Sequence, residues 1–230
     1  SSAISANKLT FDDIDKYHII ASSAYNGTPP TEFLAGDFSR FKFLQIAKLL
    51  GMDQIHIGTA PLEIPSSASP TYYTYSENSG YSALIPTESA TDYNVAASVD
   101  ANQVLHLTLK DITITKVFKP LLISSISSSY NIFLPYEGNV ELTFLGNDSL
   151  YYNPESSSMP TNNYGIYSSL GGSDMLHIIN KDALVVKYSS LVSNDSYGIR
   201  TNAYLDIDNQ GTIMVNCQDE DEGTSVIGSS

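Results

Sequence analysis

Four histidines (His18, His56, His106 and His177), 25 carboxylates and a single cysteine, Cys217, are the groups here that could ligate a metal or serve as nucleophile and base. Their spacing supports neither role. No two histidines stand at the i, i+4 spacing of a helical zinc site. Three of them sit in strand-like runs between apolar neighbours, as in Leu176-His177-Ile178, and read as structural. Cys217 falls in phase with Ile213 and Val215 and reads as a small buried hydrophobe. There is no Gly-x-Ser-x-Gly elbow, no Walker loop and no dinucleotide-binding glycine pattern. Carboxylates such as Glu137 and Glu141 are of the type used in glycoside hydrolysis, but that chemistry is defined by a separation that spacing in sequence does not give. The expectation is a protein that is not an enzyme.

One segment resembles half of a calcium loop. Asp206-Ile207-Asp208-Asn209-Gln210-Gly211 has oxygen ligands at positions 1, 3 and 5 and glycine at 6. The twelfth position should close the site with Glu and is Cys217 instead, and both flanks are strand-like rather than helical. The segment therefore reads first as a hairpin turn. Asp206 and Asp208 stay as candidate Ca2+ ligands of a site unlike an EF-hand, and no other cofactor is expected. The acidic run Asp219-Glu220-Asp221-Glu222 reads as solvated surface. Asn26-Gly27-Thr28, Asn147-Asp148-Ser149 and Asn194-Asp195-Ser196 match the glycosylation pattern, which matters only on a secretory route.

Tyrosine clustering is the most suggestive surface signal. Tyr72, Tyr73 and Tyr75 precede a Glu77-Asn78-Ser79-Gly80 turn, with Tyr81 beyond it, so tyrosine falls on both faces of a hairpin. Tyr151 with Tyr152, and Tyr164 with Tyr167, add further groups flanked by Asn and Ser. Rigid rings with adaptable hydrogen-bonding neighbours suit recognition. Three uses are open: stacking on sugars, lining subunit contacts, or edge-strand packing.

The elements that must hold these residues change character along the chain. Residues 11–22 follow Thr10 and two acids in a first turn, which predicts a helix; a strand over residues 17–21 competes with it. Residues 39–50 carry apolar positions at helical spacing and end at Gly51, which predicts a second helix. From Ile55 onward the period is two. Ile55-His56-Ile57, then residues 104–109, 112–115, 140–144, 175–179, 183–188, 203–207 and 212–217, read as strands parted by Ser, Asn, Gly and Pro clusters. No repeat of 20–50 residues is evident. The fold class expected is mainly β: an antiparallel β-sandwich of jelly-roll or Ig-like type with one or two N-terminal helices. Residues 1–54 would form a helical arm, 55–218 the sandwich and 219–230 an acidic tail.

Composition bounds the partners. In 230 residues, 11 Lys+Arg oppose 25 Asp+Glu, for a net charge of −14. That argues against nucleic acid and against an anionic membrane surface. No stretch approaches the ~20 apolar residues of a membrane helix. One cysteine excludes a disulfide framework within the chain. Ser1-Ser2-Ala3 lacks the features of a leader, which fits either removal of an initiator Met or a leader already cleaved. An acidic, Lys-poor chain rich in Ser, Asn and Tyr suits a structural subunit of a viral or phage particle (capsid, decoration or fibre), self-associating or bound to other subunits. The alternative is a secreted or cell-surface adhesin or carbohydrate-binding module, with a glycan as partner. The localisation expected is the virion or the cell exterior.

Overall fold

Where apolar and polar residues alternate over five to eight positions, an extended chain hides one face and wets the other. That pattern governs the architecture in this computed structural model, which describes residues 17–22, 43–48, 53–79, 81–119, 127–152, 161–169, 174–189, 196–218 and 225–229. Every regular element among the described residues is a strand. The chain divides into two compact units, Ser1–Leu50 with Leu121–Ile123, and Gly51–Pro120 with Ser124–Ser230.

In the first unit β1 (Tyr17–Ser22) and β2 (Phe43–Lys48) pair antiparallel, from Tyr17 opposite Lys48 to Ser22 opposite Phe43. This corrects the helices expected over 11–22 and 39–50, whose remaining residues lie outside those described. Tyr17-His18-Ile19-Ile20 is a run of aromatic and β-branched types, which lose side-chain freedom in a helix and fit a pleated strand.

The second unit opens with antiparallel pieces. β3 (Ile55–Ile57) and β4 (Ala60–Leu62) form a short hairpin. β5 (Thr71–Glu77) pairs with β6 (Ser82–Thr87) on one side and β7 (Val95–Val99) on the other. β7 then pairs with β8 (Leu105–Lys110). After β9 (Thr113–Ile114) the chain winds in coils of three strands. The first coil is β10 (Ser127–Leu134), β11 (Val140–Leu145) and β12 (Asn147–Tyr152). The second is β13 (Thr161–Ser168), β14 (Met175–Asn180) and β15 (Ala183–Ser189). The third is β16 (Ser196–Thr201), β17 (Tyr204–Asn209) and β18 (Thr212–Gln218), and β19 (Ser225–Ser229) starts a fourth.

Each coil visits three sheets in turn. The sheets run β19-β16-β13-β10-β3-β4, β17-β14-β11-β8-β7-β5-β6 and β18-β15-β12-β9. From β8 onward, these strands pair parallel with one another along the coil axis; β8 with β7 and β10 with β3, where the coils meet the opening strands, are antiparallel. The unit is therefore a three-sided parallel β-solenoid with an antiparallel start. The expected antiparallel jelly-roll or Ig-like sandwich is corrected, because a period of two reports which face a residue occupies and says nothing about strand direction. The reading of 206–211 as a hairpin turn is corrected with it: residues 206–209 belong to β17, Gln210 and Gly211 make a corner of the solenoid, and β18 beyond it lies in a different sheet.

A repeat is present after all. Hydrogen bonds from one coil to the next join residues 34 to 36 apart, as between Ser129 and Asn163 or Ile112 and Asp148, and 29 apart between Asn180 and Asn209. Like stacks on like inside. Ile57, Ile132, Ile166 and Ile199 form one column, all fully buried. Leu107, Leu142, Ile178 and Ile207 form another, and Leu105, Val140, Leu176 and Leu205 a third. At ~1.5–3 kcal/mol for each buried aliphatic side chain, these columns are the main stabilising term. Two glycines permit the corners. A Cβ at Gly211 would lie 1.8 Å from the Asp182 carbonyl oxygen, and Gly146 holds a positive φ of 81° with an Asp111 carboxylate oxygen 2.1 Å from where its Cβ would be.

Burial falls at the last coil. Leu184 and Ile213 share a column, yet Leu184 is fully buried and Ile213 only half-buried. Urea denaturation should therefore separate them. Leu184→Ala is expected to cost ~2–5 kcal/mol and Ile213→Ala clearly less, since no closed cavity is left at the end of the stack. Equal losses would contradict the open-ended stack.

Candidate functional site

The tyrosines singled out by sequence divide by depth. Tyr73 and Tyr75 on β5 are half-buried and pack against the solenoid core, while Tyr72 tilts against Tyr93 with ring centroids 5.0 Å apart. The β5–β6 hairpin expected from the sequence is present, with Glu77 opposite Ser82 at its end. The Tyr75 hydroxyl donates to the Glu77 carboxylate and accepts from the Ser82 hydroxyl at 2.9 Å. Burial first, and then the Glu77 carboxylate, hold that hydroxyl protonated far above its ordinary range. Burial alone would raise Glu77, but donors from Thr115, Tyr75 and Lys116 outweigh it and lower its pKa. The Glu77 carboxylate accepts from the Thr115 amide at 2.8 Å and the Lys116 amide at 3.1 Å. This network clamps β5 to the segment after β9. Tyr81 is 59% exposed. Tyr151 is half-buried, with Lys187 Nζ 5.8 Å from its ring centre. The side chain of Tyr152 lies outside those described.

A larger aromatic array takes in Tyr164 and Tyr167, which the sequence singles out, together with residues it does not. Tyr130, Tyr164 and Tyr197 stand one above another on β10, β13 and β16. Their rings stack at 5.2 and 5.7 Å, nearly parallel. Phe133, Tyr167 and Arg200 form the adjacent column. His56 stacks on Phe118 at 3.6 Å, and Phe118 and Phe133 close the buried end of the cluster. At the other end Tyr197 and Tyr167 are half-buried, and the Arg200 guanidinium sits 4.6 Å from the centre of the Tyr197 ring. The signal was in the sequence as Tyr-Asn-Ile-Phe at 130, Tyr-Gly-Ile-Tyr at 164 and Tyr-Gly-Ile-Arg at 197.

Charges also stack. His106, Glu141, His177 and Asp206 occupy successive rungs on the outer face of one sheet. His106 Nδ1 lies 3.2 Å from Glu141, and its Nε2 lies 3.4 Å from Asp100. His177 Nε2 lies 3.6 Å from Asp206. Hydrogen bonds from the Val104 and Asn102 backbone, with His106 beside it, lower the pKa of Asp100. The Ca2+ candidates Asp206 and Asp208 both point outward from β17; Asp208 accepts from Gln210 at 2.9 Å. Among the described residues, no three His, Cys, Asp or Glu side chains converge as a metal site.

Among the described residues, one carboxylate is inside. Asp148 shares its column with Leu184 and Ile213 and is buried. Its Oδ1 accepts from the Ile112 amide at 2.9 Å, while Oδ2 has no hydrogen-bond partner among the described residues. Burial, with Asp111 and Asp182 nearby adding to it, pushes the carboxyl up to about 7 against the backbone hydrogen bonds. Sequence gave no hint of this, since Asn147-Asp148-Ser149 reads as a surface glycosylation triplet. Comparison with family models, curated protein sequences and solved structures finds no match for the chain.

A raised folded-state pKa sets the sign of the pH effect. Between the ordinary value near 4 and about 7, the folded chain holds a proton that the unfolded chain has lost. Stability from this group is therefore full below about pH 4 and lost as pH rises to about 7, a span of order 4 kcal/mol at most. Urea midpoints for the native chain and Asp148→Asn, compared from pH 4 to 8, should diverge. The variant gains relative to the native chain with rising pH and levels off above 7; parallel curves would contradict a buried, protonated carboxyl.

Proposed function

We propose that the chain is a non-enzymatic structural subunit of a larger assembly, and that a viral or phage particle (as capsid, decoration or fibre protein) is the setting its chemistry suits best. The observation carrying this reading is the last coil. The interior residues Leu205, Ile207, Ile213 and Val215 are half-exposed, whereas Leu176, Ile178, Leu184 and Val186 one coil earlier are fully buried. Tyr204 at 67% exposure and Met214 at 51% flank them. An apolar core cut open in cross-section is the character of a surface that meets another protein. The ionisable groups on the neighbouring face are taken up in rung-to-rung pairs rather than gathered around a reacting atom. The acidic, Lys-poor, Tyr-rich composition fits a place on a particle or outside a cell.

A second reading has its own support. Tyr197, Tyr167 and Arg200 end the aromatic column half-exposed, which offers ring faces to a sugar. On that reading the chain is a secreted or surface adhesin or carbohydrate-binding module. Binding on a glycan array that Tyr197→Ala abolishes would favour it over the first.

Light scattering on the eluting protein tests the assembly reading. The expected mass exceeds the 25.0 kDa of one chain and grows with concentration. A monomer at every concentration would contradict it.

A further inference from the structure

We infer that the outer face of β16, at Tyr197 and Arg200, binds a sugar that carries a carboxylate: the guanidinium takes the carboxylate and the tyrosine ring takes the face of the sugar. This rests on the sugar-binding reading above and names the class of sugar.

The pairs Tyr130 and Phe133, Tyr164 and Tyr167, and Tyr197 and Arg200 occupy the same two positions on three successive rungs. The ladders skip Asn131, Gly165 and Gly198, so residues three apart share the outward face. Ring centroids lie 4.9 Å apart in the first pair and 5.0 Å apart in the second. Tyr130, Phe133 and Tyr164 are buried, whereas Tyr167, Tyr197 and Arg200 are half-exposed. The next rung, on β19, has Ser225 and Gly228 at the two positions. The bulky columns therefore stop at β16, below a rung of small residue types.

Three distances place the guanidinium. Arg200 lies 4.6 Å from the centre of the Tyr197 ring and 5.8 Å from that of Tyr164. Those two rings stand 5.7 Å apart and within 7° of parallel. A cation on the far face of Tyr197 would be two contact layers of ~3.5 Å from Tyr164, beyond the distance observed. Arg200 thus packs on the Tyr164 side. The other face of Tyr197, toward β19, meets no ring among the described residues.

Charge states what fits there. In a chain with 25 acidic residues, Arg200 makes no ion pair and no hydrogen bond among the described residues; its contacts are with ring faces. Its planar fork of donors matches a carboxylate through two parallel bonds. The net charge of −14 opposes a dense polyanion and tolerates a ligand with isolated charges. Beside the fork, the Tyr167 hydroxyl accepts from Asn202 Nδ2 at 3.3 Å, and hydroxyl and amide groups of this kind adapt to sugar hydroxyls. A hexuronic or sialic acid combines one carboxylate, a C–H face for the ring and hydroxyls for these groups.

Titration of the full chain, followed by NMR, tests this with methyl glucuronide and methyl glucoside, which differ only in the carboxylate. The glucuronide is expected to bind at least tenfold more tightly. Arg200→Gln should remove that preference, Arg200→Lys should keep part of it, and Tyr197→Ala should weaken both sugars. A methyl sialoside run alongside distinguishes the two acid sugars, and a preference for either over the glucoside supports the site. If Arg200→Gln unfolds the chain by circular dichroism, the native chain still decides: the preference should shrink in about 1 M salt, where charges are screened within ~3 Å. Equal binding of acidic and neutral sugars, or a preference that survives Arg200→Gln, would overturn the carboxylate contact and leave sugar binding standing. Acetate bound as tightly as the glucuronide would overturn the inference, since the site would then take an anion and not a sugar. No binding of any sugar would overturn both the inference and the reading beneath it.

Discussion

Register between coils is the constraint on which the second unit depends. Each parallel ladder sets a residue directly over its counterpart one coil away, so every position is packed by a residue of the same column. A column of isoleucine from Ile57 to Ile199 is stable because each step from one coil to the next sets branched aliphatic chains against one another. The same rule carries polar groups. Asn180 donates to Asn209 Oδ1 at 2.8 Å inside a corner, and the aromatic and His–acid columns run up the faces. A slip of one residue would move whole columns from the interior to solvent, which is why the ladders hold one register throughout.

A stack ordered this way has two unlike ends. At the start, β3 to β7 turn the sheets antiparallel, and Pro61 in β4 and Pro86 in β6 interrupt the outer edges. Proline cannot donate to a further strand, so that end resists extension. At the finish, β17 and β18 are regular strands without proline, and their inward residues are half-exposed. Asp148 is the internal exception. It sits where its column otherwise carries leucine and isoleucine, and its carboxyl joins the first coil to the segment entering β9 by accepting the Ile112 amide. The cost of burying it is met by holding a proton near neutrality.

Much of the strand content was legible because it rests on a local signal. The alternation in Leu105-His106-Leu107-Thr108-Leu109 or in residues 140–144 names the inward residues correctly, and the Glu77 turn names a hairpin. Strand direction was not legible, since parallel and antiparallel neighbours impose the same alternation. The repeat hid because coils of unequal length share residue character rather than identity, as in Leu105, Val140, Leu176 and Leu205. At Tyr17–Ser22 and Phe43–Lys48, apolar spacing compatible with a helical face was read over β-forming residue types. Tyrosines near one another in sequence, Tyr72, Tyr73 and Tyr75 or Tyr164 and Tyr167, are legible as groups, while the column of Tyr130, Tyr164 and Tyr197 is not, because its members are separated by whole coils.

Cross-linking between rungs tests the stacking most directly. Thr143 on β11 and Ile179 on β14 face outward and stand opposite each other in the parallel ladder, with backbones about 4.8 Å apart, while Thr108 lies one rung further from Ile179. With Cys217 replaced by Ser, mild oxidation of Thr143→Cys/Ile179→Cys is expected to form a disulfide within one chain, at a spacing a disulfide spans without strain. Thr108→Cys/Ile179→Cys, two rungs apart, is expected to stay reduced. Failure of the first pair to link, or linkage of both pairs alike, would contradict a solenoid of in-register parallel coils.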